Sequence, residues 1–270
     1  MVLLDHGGRD AKEFDIFAPP TDLSGVIQHV WIKHRMGVSV PWRVVPDTSP
    51  HVVATVTARA EDRTIRVVVV GARSCAADID LRHRVLTVGL RLQAGALPIL
   101  TSASAREFMD RSIPIDQVFG PKILSGLGLG PDAPPPLILQ QLIRLARRAS
   151  DRRTIGTTPF HSARAVTVAE LACRLELACR LETPTRSLRE LTHRAVGLSP
   201  KRMLRVLRLH TALQASRRPG RSWSDVAHVA GYADQPHLTR ELRALLGETP
   251  SAWKARGSAD SFKTSASGVR

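Results

Sequence analysis

The chain has 270 residues, 43% hydrophobic and 23% charged, with a formal net charge of +15. That length holds two ordinary domains, and the composition excludes a chain too polar to fold. No apolar run approaches the ~20 residues of a membrane-spanning helix, and the start, Met1-Val2-Leu3-Leu4-Asp5-His6, lacks the basic and apolar stretches of a signal peptide. A cytoplasmic protein without a membrane partner is expected. The three cysteines, Cys75, Cys173 and Cys179, form no Cys-x-x-Cys pair, which fits free thiols in a reducing compartment.

The positive charge is unevenly placed. Residues 1–120 carry 14 Lys and Arg against 13 Asp and Glu, whereas residues 161–257 carry 17 against 8. A solubilising surface needs no such asymmetry, and an excess confined to one segment is the footprint expected for a polyanion such as nucleic acid. A membrane-surface helix fits less well, because these arginines are interleaved with short helix-and-turn punctuation.

In chain order, residues 1–120 read as β-rich. Val52-Val53-Ala54-Thr55-Val56-Thr57, Thr64-Ile65-Arg66-Val67-Val68-Val69-Val70 and Val85-Leu86-Thr87-Val88-Gly89-Leu90-Arg91-Leu92 are β-branched or alternating runs bounded by Gly, Pro or Asp. They predict a mostly antiparallel barrel or sandwich, a cupin-like one being among the options, with a short helix around 104–111. The composition changes over 120–136, where Gly126, Gly128, Gly130 and Pro134-Pro135-Pro136 cluster. With the helix predicted over 137–149, residues 121–160 read as a Pro/Gly inter-domain linker carrying one helix. The Leu127-Gly128-Leu129-Gly130 stretch is not a phosphate loop: its spacing is not GxGxxG and no Gly-Lys-Ser/Thr follows. Ser-, Gly- and Ala-rich residues 258–270 read as a disordered tail.

Residues 161–257 read as all-α. In the clearest unit, Ser224 is expected to cap a helix over 225–230 that stops at Gly231. Asp234 then caps a second helix with Pro236 in its first turn and Leu238, Leu242 and Leu245 as its apolar stripe. Helix, glycine turn, helix is the helix-turn-helix layout, whose second helix enters the major groove. Near its start stand Gln235, His237 and Arg240; Gln pairs bidentately with adenine and Arg with guanine. Upstream, Thr183-Pro184 opens a helix running to Ala195 before Gly197, and Pro200 opens a longer basic helix over 201–216 with Met203, Val206, Leu207 and Leu213 on one side. Two helix-turn-helix units joined by a helix result, with Leu188, Val226, Ala227, Leu238 and Leu242 as expected core positions.

Ser224-Asp225-Val226-Ala227-His228-Val229-Ala230-Gly231-Tyr232-Ala233-Asp234-Gln235-Pro236-His237-Leu238-Thr239-Arg240, then Gly247-Glu248-Thr249-Pro250-Ser251-Ala252-Trp253, closely resembles the signature of the AraC/XylS family of transcriptional regulators. Gly197-Leu198-Ser199-Pro200 upstream fits the same family, and the resemblance covers about ninety residues. It implies a sequence-specific reader of double-stranded DNA, an activator or a repressor, with recognition helices in successive major grooves on one DNA face. The DNA-contacting residues it implies are Arg186 and Arg189 in the first unit, Lys201 and Arg205 in the joining helix, and Gln235, Pro236, His237, Thr239 and Arg240 in the second. RNA polymerase, a small-molecule effector and a second copy of the chain are candidate partners; no cofactor is expected. Pro41-Trp42-Arg43-Val44-Val45-Pro46-Asp47 and Gly89-Leu90-Arg91-Leu92-Gln93-Ala94-Gly95-Ala96 resemble, more faintly, segments of the sensor domains that precede such modules, and imply a regulatory or dimerising role.

Two features depart from the family. Glu190 stands where the first reading helix often has Arg, and its charge would repel phosphates. Leu171-Ala172-Cys173-Arg174-Leu175-Glu176 is repeated as Leu177-Ala178-Cys179-Arg180-Leu181-Glu182; in a helix, six added residues extend the element by roughly 9 Å and turn its upstream face by about 240°. An enzyme finds little support: there is no HxH pair, HExxH or GxSxG. His51, His83, Cys75, Asp78 and Asp80 would have to converge to form a metal site. An architectural protein gripping phosphates without sequence preference is the stronger rival.

Overall fold

The computed structural model describes residues 14–35, 42–59, 62–79, 84–154 and 186–256. The duplicated hexapeptide with Cys173 and Cys179, residues Asp80 and His83, Thr183-Pro184 and the tail from 258 lie outside the described residues.

The N-terminal half is built on antiparallel strands. β1 (Phe14–Phe17), β2 (Ile27–Arg35), β7 (Arg84–Leu92), β4 (His51–Arg59), β5 (Asp62–Val70) and β8 (Ser112–Pro114) lie side by side in that order, while β3 (Trp42–Val44) and β6 (Ala77–Ile79) pair as a separate two-stranded ribbon. The expected antiparallel β-rich half followed by an all-α half is what the chain forms. Alternation sets the core face: Val52, Ala54 and Val56 of β4 register with Val69, Val67 and Ile65 of β5 on one side and with Leu90, Val88 and Leu86 of β7 on the other. Val30 and Ile32 of β2 continue the layer.

The stretch from Gly120 to Pro136 is a correction to the linker expectation. Short helices α1 (Leu97–Thr101), α2 (Ile115–Phe119) and α3 (Ile123–Leu127) and the longer α4 (Pro135–Thr154) pack onto the sheet. Ile115, Leu127, Leu129, Ile138, Leu139, Leu142, Leu145 and Ala146 join the same buried cluster as the strand residues. The glycines and prolines mark joints between these helices. Gly120 and Gly128 end α2 and α3 with φ of +97° and +61°, and Pro135 starts α4 in the position where its missing N–H costs nothing. The short helix expected around 104–111 is a 3-10 turn, Ala105–Phe108, closed by a Ser104/Glu107 capping box.

The opposite sheet face is also covered: His29, Trp31, Lys33 and Arg91 are all buried. Gly89 is required here, because a Cβ on it would stand 2.4 Å from the Trp31 ring. Gly89→Ala should lower stability by about 1–3 kcal/mol through this overpacking. Urea unfolding measures the effect, and an unchanged midpoint would show that the indole moves away freely.

The C-terminal half runs α5 (Arg186–Val196), α6 (Pro200–Ser216), α7 (Trp223–Val229), α8 (Gln235–Leu246) and α9 (Pro250–Arg256). The buried stripes are those expected from spacing: Met203, Val206 and Leu213 on α6, Val226 and Ala227 on α7, and Leu238, Leu242 and Leu245 on α8, with Leu188 and Leu207 partly buried against the same layers. Among the described residues no helix is long and apolar enough to cross a membrane.

Candidate nucleic-acid interface

The second helix-turn-helix is assembled by local capping. Ser222, not Ser224, caps α7: its Oγ accepts the Asp225 N–H at 3.1 Å while the Asp225 carboxylate accepts from the Ser222 N–H at 3.1 Å. The reciprocal box needs a carboxylate three residues on, which Ser222 has and Ser224 lacks. Gly231, at φ +74°, turns the chain, and the Tyr232 N–H closes the corner on the Ala227 carbonyl at 2.9 Å. Asp234 then caps α8, its Oδ1 accepting the His237 N–H at 2.6 Å.

With the leucine stripe buried, the first turns of α8 present Gln235, Pro236 and Arg240 to solvent, and leave His237 and Thr239 half-exposed. Two of these groups already have local partners. The Thr239 hydroxyl donates to the Gln235 carbonyl at 2.9 Å, which leaves its methyl and the oxygen's acceptor side for a ligand. His237 Nδ1 accepts from the Ala233 N–H at 3.4 Å, and its ring stands edge-on to Tyr232, 5.3 Å between centroids. That tautomer places the ring proton on Nε2, so His237 offers a donor.

In the first unit, Arg186 and Arg189 are exposed at the start of α5. Glu190 does not stand as a lone negative charge among them: Arg194, one turn later, donates to its carboxylate at 2.7 Å. Gly197 ends the helix at φ +89°, and Ser199 caps α6 with Pro200 following. Lys201 is exposed there, whereas Arg205 is engaged by Glu241 of α8 through two parallel bonds of 2.8 and 3.0 Å. Arg205 thus braces the reading helix against the joining helix.

The junction with the sheet was not foreseen in the sequence. Asp47, buried after β3, takes both ends of the Arg91 guanidinium, Nη2 to Oδ1 at 2.8 Å and Nη1 to Oδ2, and Arg91 Nε donates to Gln28 at 2.7 Å. His51, opposite Arg91 on the next strand, lies 3.3 Å from Asp47 Oδ2. His210 of α6 reaches in to bond the Pro46 carbonyl at 2.6 Å. Burial alone would raise the Asp47 pKa; the Arg91 charge, the His51 bond and the nearby His210 outweigh it and hold the carboxyl well below the usual range. Arg43 of β3 spans the same junction to reach the C-terminal end of α8. Asp47 and Arg91 belong to the two sensor-like segments singled out in the sequence, which was the only available signal. His51, Cys75 and Asp78 do not converge: Asp47 holds His51, Cys75 is exposed and Arg43 holds Asp78. Among the described residues no group of three His, Cys, Asp or Glu is placed to hold a metal.

Residues 177–256 match the family described as a Helix-turn-helix domain, and residues 15–114 match a Domain of unknown function (DUF6597). With the capped, outward-facing helices above, this makes the chain a DNA-binding transcriptional regulator. Its helix-turn-helix domain is of the AraC type. No curated protein matches the chain. Among solved structures it is similar to ToxT from Vibrio cholerae O395, with 6% identity over 90% of this chain and 97% of that one at a TM-score of 0.39. It is also similar to unsaturated fatty acid-bound wild-type ToxT from Vibrio cholerae strain SCE256, with 8% identity over 93% and 96% at a TM-score of 0.39.

Burial pushes the pKa of both His51 and His210 below the ordinary 6.5, against the opposing pull of Asp47. The unfolded chain therefore takes up protons at pH values where the folded one does not. Stability should be level above about pH 7 and fall as pH drops below 6.5 towards the folded values, by up to about 1.4 kcal/mol per pH unit for each histidine. Urea unfolding between pH 5 and 8 measures this, and His210→Gln should remove about half the slope. A flat profile would contradict the buried, neutral assignment.

Proposed function

We propose that the chain is a cytoplasmic, sequence-specific transcriptional regulator, not an enzyme, that reads double-stranded DNA through α8 and α5 in successive major grooves. The observation that carries this reading is the outward face of α8. A buried leucine stripe and an Asp234 cap fix the helix, leaving Gln235 and Arg240 exposed at the end that enters a groove. Arg240 reads guanine, Gln235 adenine, and the His237 Nε2–H meets a base or phosphate acceptor. Arg186 and Arg189 serve the first unit, Lys201 meets a phosphate, and Pro236 and Thr239 line the contact. The sheet half, apolar inside and nearly neutral over residues 1–120, is proposed to take a small-molecule effector or a second copy of the chain and to signal to RNA polymerase.

Binding to a preferred site should weaken steeply with salt: contacts to about six phosphates give a log–log slope near −5. A slope near zero would remove nucleic acid from consideration. Arg240→Ala should cost on the order of 1–3 kcal/mol and relax preference at one base pair, as read by competition among single-base variants of the site. Equal weakening on every sequence would place Arg240 on a phosphate and favour the architectural reading.

A further inference from the structure

The two ends of α8 are held by different parts of the molecule. The N-terminal end is held locally, by Asp234. At the other end, the last carbonyls of a helix have no partner within it, and here two of them are taken by the sheet half. The Leu245 carbonyl accepts the Ala76 N–H at 2.8 Å and the Leu246 carbonyl accepts Arg43 Nη1 at 2.9 Å. Arg43 is aimed before it reaches the helix. Strand pairing sets it opposite Asp78, and its Nε and Nη2 donate to the two Asp78 oxygens at 2.7 Å each. Nη1 also donates to Glu248 Oε1 at 2.7 Å, a carboxylate buried just past the helix end. A fixed cation at the negative end of the helix dipole, shared by two carboxylates, is a strong and directional clamp.

We propose that Arg43 is a positioning residue for DNA reading: it docks the C-terminal end of α8 on the β3–β6 ribbon and so fixes where Gln235 and Arg240 stand. The inference rests on α8 being a DNA-reading helix. A helix of 12 residues is a stiff rod roughly 16 Å long between its end residues, so a shift at the Arg43 end swings the reading end. The sheet half meets α5 separately: a Cβ on Gly197 would come within 2.6 Å of the Ala105 carbonyl oxygen, and Ala195 and Val196 share a buried cluster with Ala72 and Ala94. Contact with both units lets the sheet half set the spacing of the reading helices without touching DNA.

The test uses the full chain and a duplex that the wild-type protein enriches from a random-sequence pool, with a scrambled duplex as control. Circular dichroism and thermal unfolding report the fold. Arg43→Ala should weaken binding to the selected duplex about tenfold, leave the scrambled duplex within about twofold, and speed amide exchange over residues 235–246. Arg43→Lys, which keeps the cation but loses the fork, should recover part of the affinity. Glu248→Gln added to Arg43→Ala should cost little more than Arg43→Ala alone, because both act through one contact. Unchanged or tighter binding by folded Arg43→Ala overturns the proposal. If that variant does not fold, Asp78→Asn, which loosens the fork but leaves the helix contact, should weaken selective binding about threefold, and no change there overturns it equally. A wild-type protein that enriches no sequence removes the DNA-reading role of α8 and this inference with it; a selective wild type with an indifferent Arg43→Ala removes only the inference.

Discussion

Asp47 and Arg91 are buried where neither charge could remain alone, since removing an ion from water costs several kcal/mol and only a well-placed partner offsets it. Arg91 comes from the six-stranded sheet and Asp47 from the segment after β3, and His210 on the joining helix of the DNA-binding half bonds the neighbouring Pro46 carbonyl. Arg91 sits on the central strand β7, between β2 and β4, so its guanidinium can be aimed only if the strand order and register are correct. Asp47 is fixed in turn by reciprocal backbone bonds with Arg73. The orientation of the helical half on the sheet depends on this junction. At its margins Arg43 and Ala76 meet the end of α8, and Ala105 meets Gly197 at the end of α5.

This arrangement divides the work between the halves. The helical half carries the positive charge and the exposed side chains that suit base edges and phosphates. The strand-bearing residues 1–120 carry almost no net charge, and the sheet half shapes the helical half by contact. The two reading helices are not equivalent. α8 is capped at its start, braced by Arg205–Glu241 and docked at its end, whereas α5 meets the sheet half through small residues, and the charge of its Glu190 is absorbed by Arg194.

What was legible in the sequence was local. The leucine stripe of α8, the Asp234 cap, the Gly231 turn and the Pro200 start are each written within a few residues, and the structure places them as expected. The β4, β5 and β7 runs were legible for the same reason, because one face of each is apolar. β2 was missed because His29, Trp31 and Lys33 are buried on its other face, so Ile27–Arg35 shows no clean period of two. β3, β6 and β8 are three-residue strands that exist only through their pairings. The linker reading failed because glycine and proline punctuate helix joints as readily as they loosen a tether. Beyond the two faint sensor-like segments the junction left no trace in the sequence: Arg43 and Glu248 are 205 residues apart and Pro46 and His210 164 apart, and no local pattern records such a pairing.

The most direct test of the central claim is genome-wide mapping of the sites the full chain occupies in its own cell. Two reading helices on one DNA face predict discrete sites sharing a motif in two blocks, centred about one helical turn, 10–10.5 base pairs, apart. Occupancy spread over the chromosome with no shared motif would contradict sequence-specific reading.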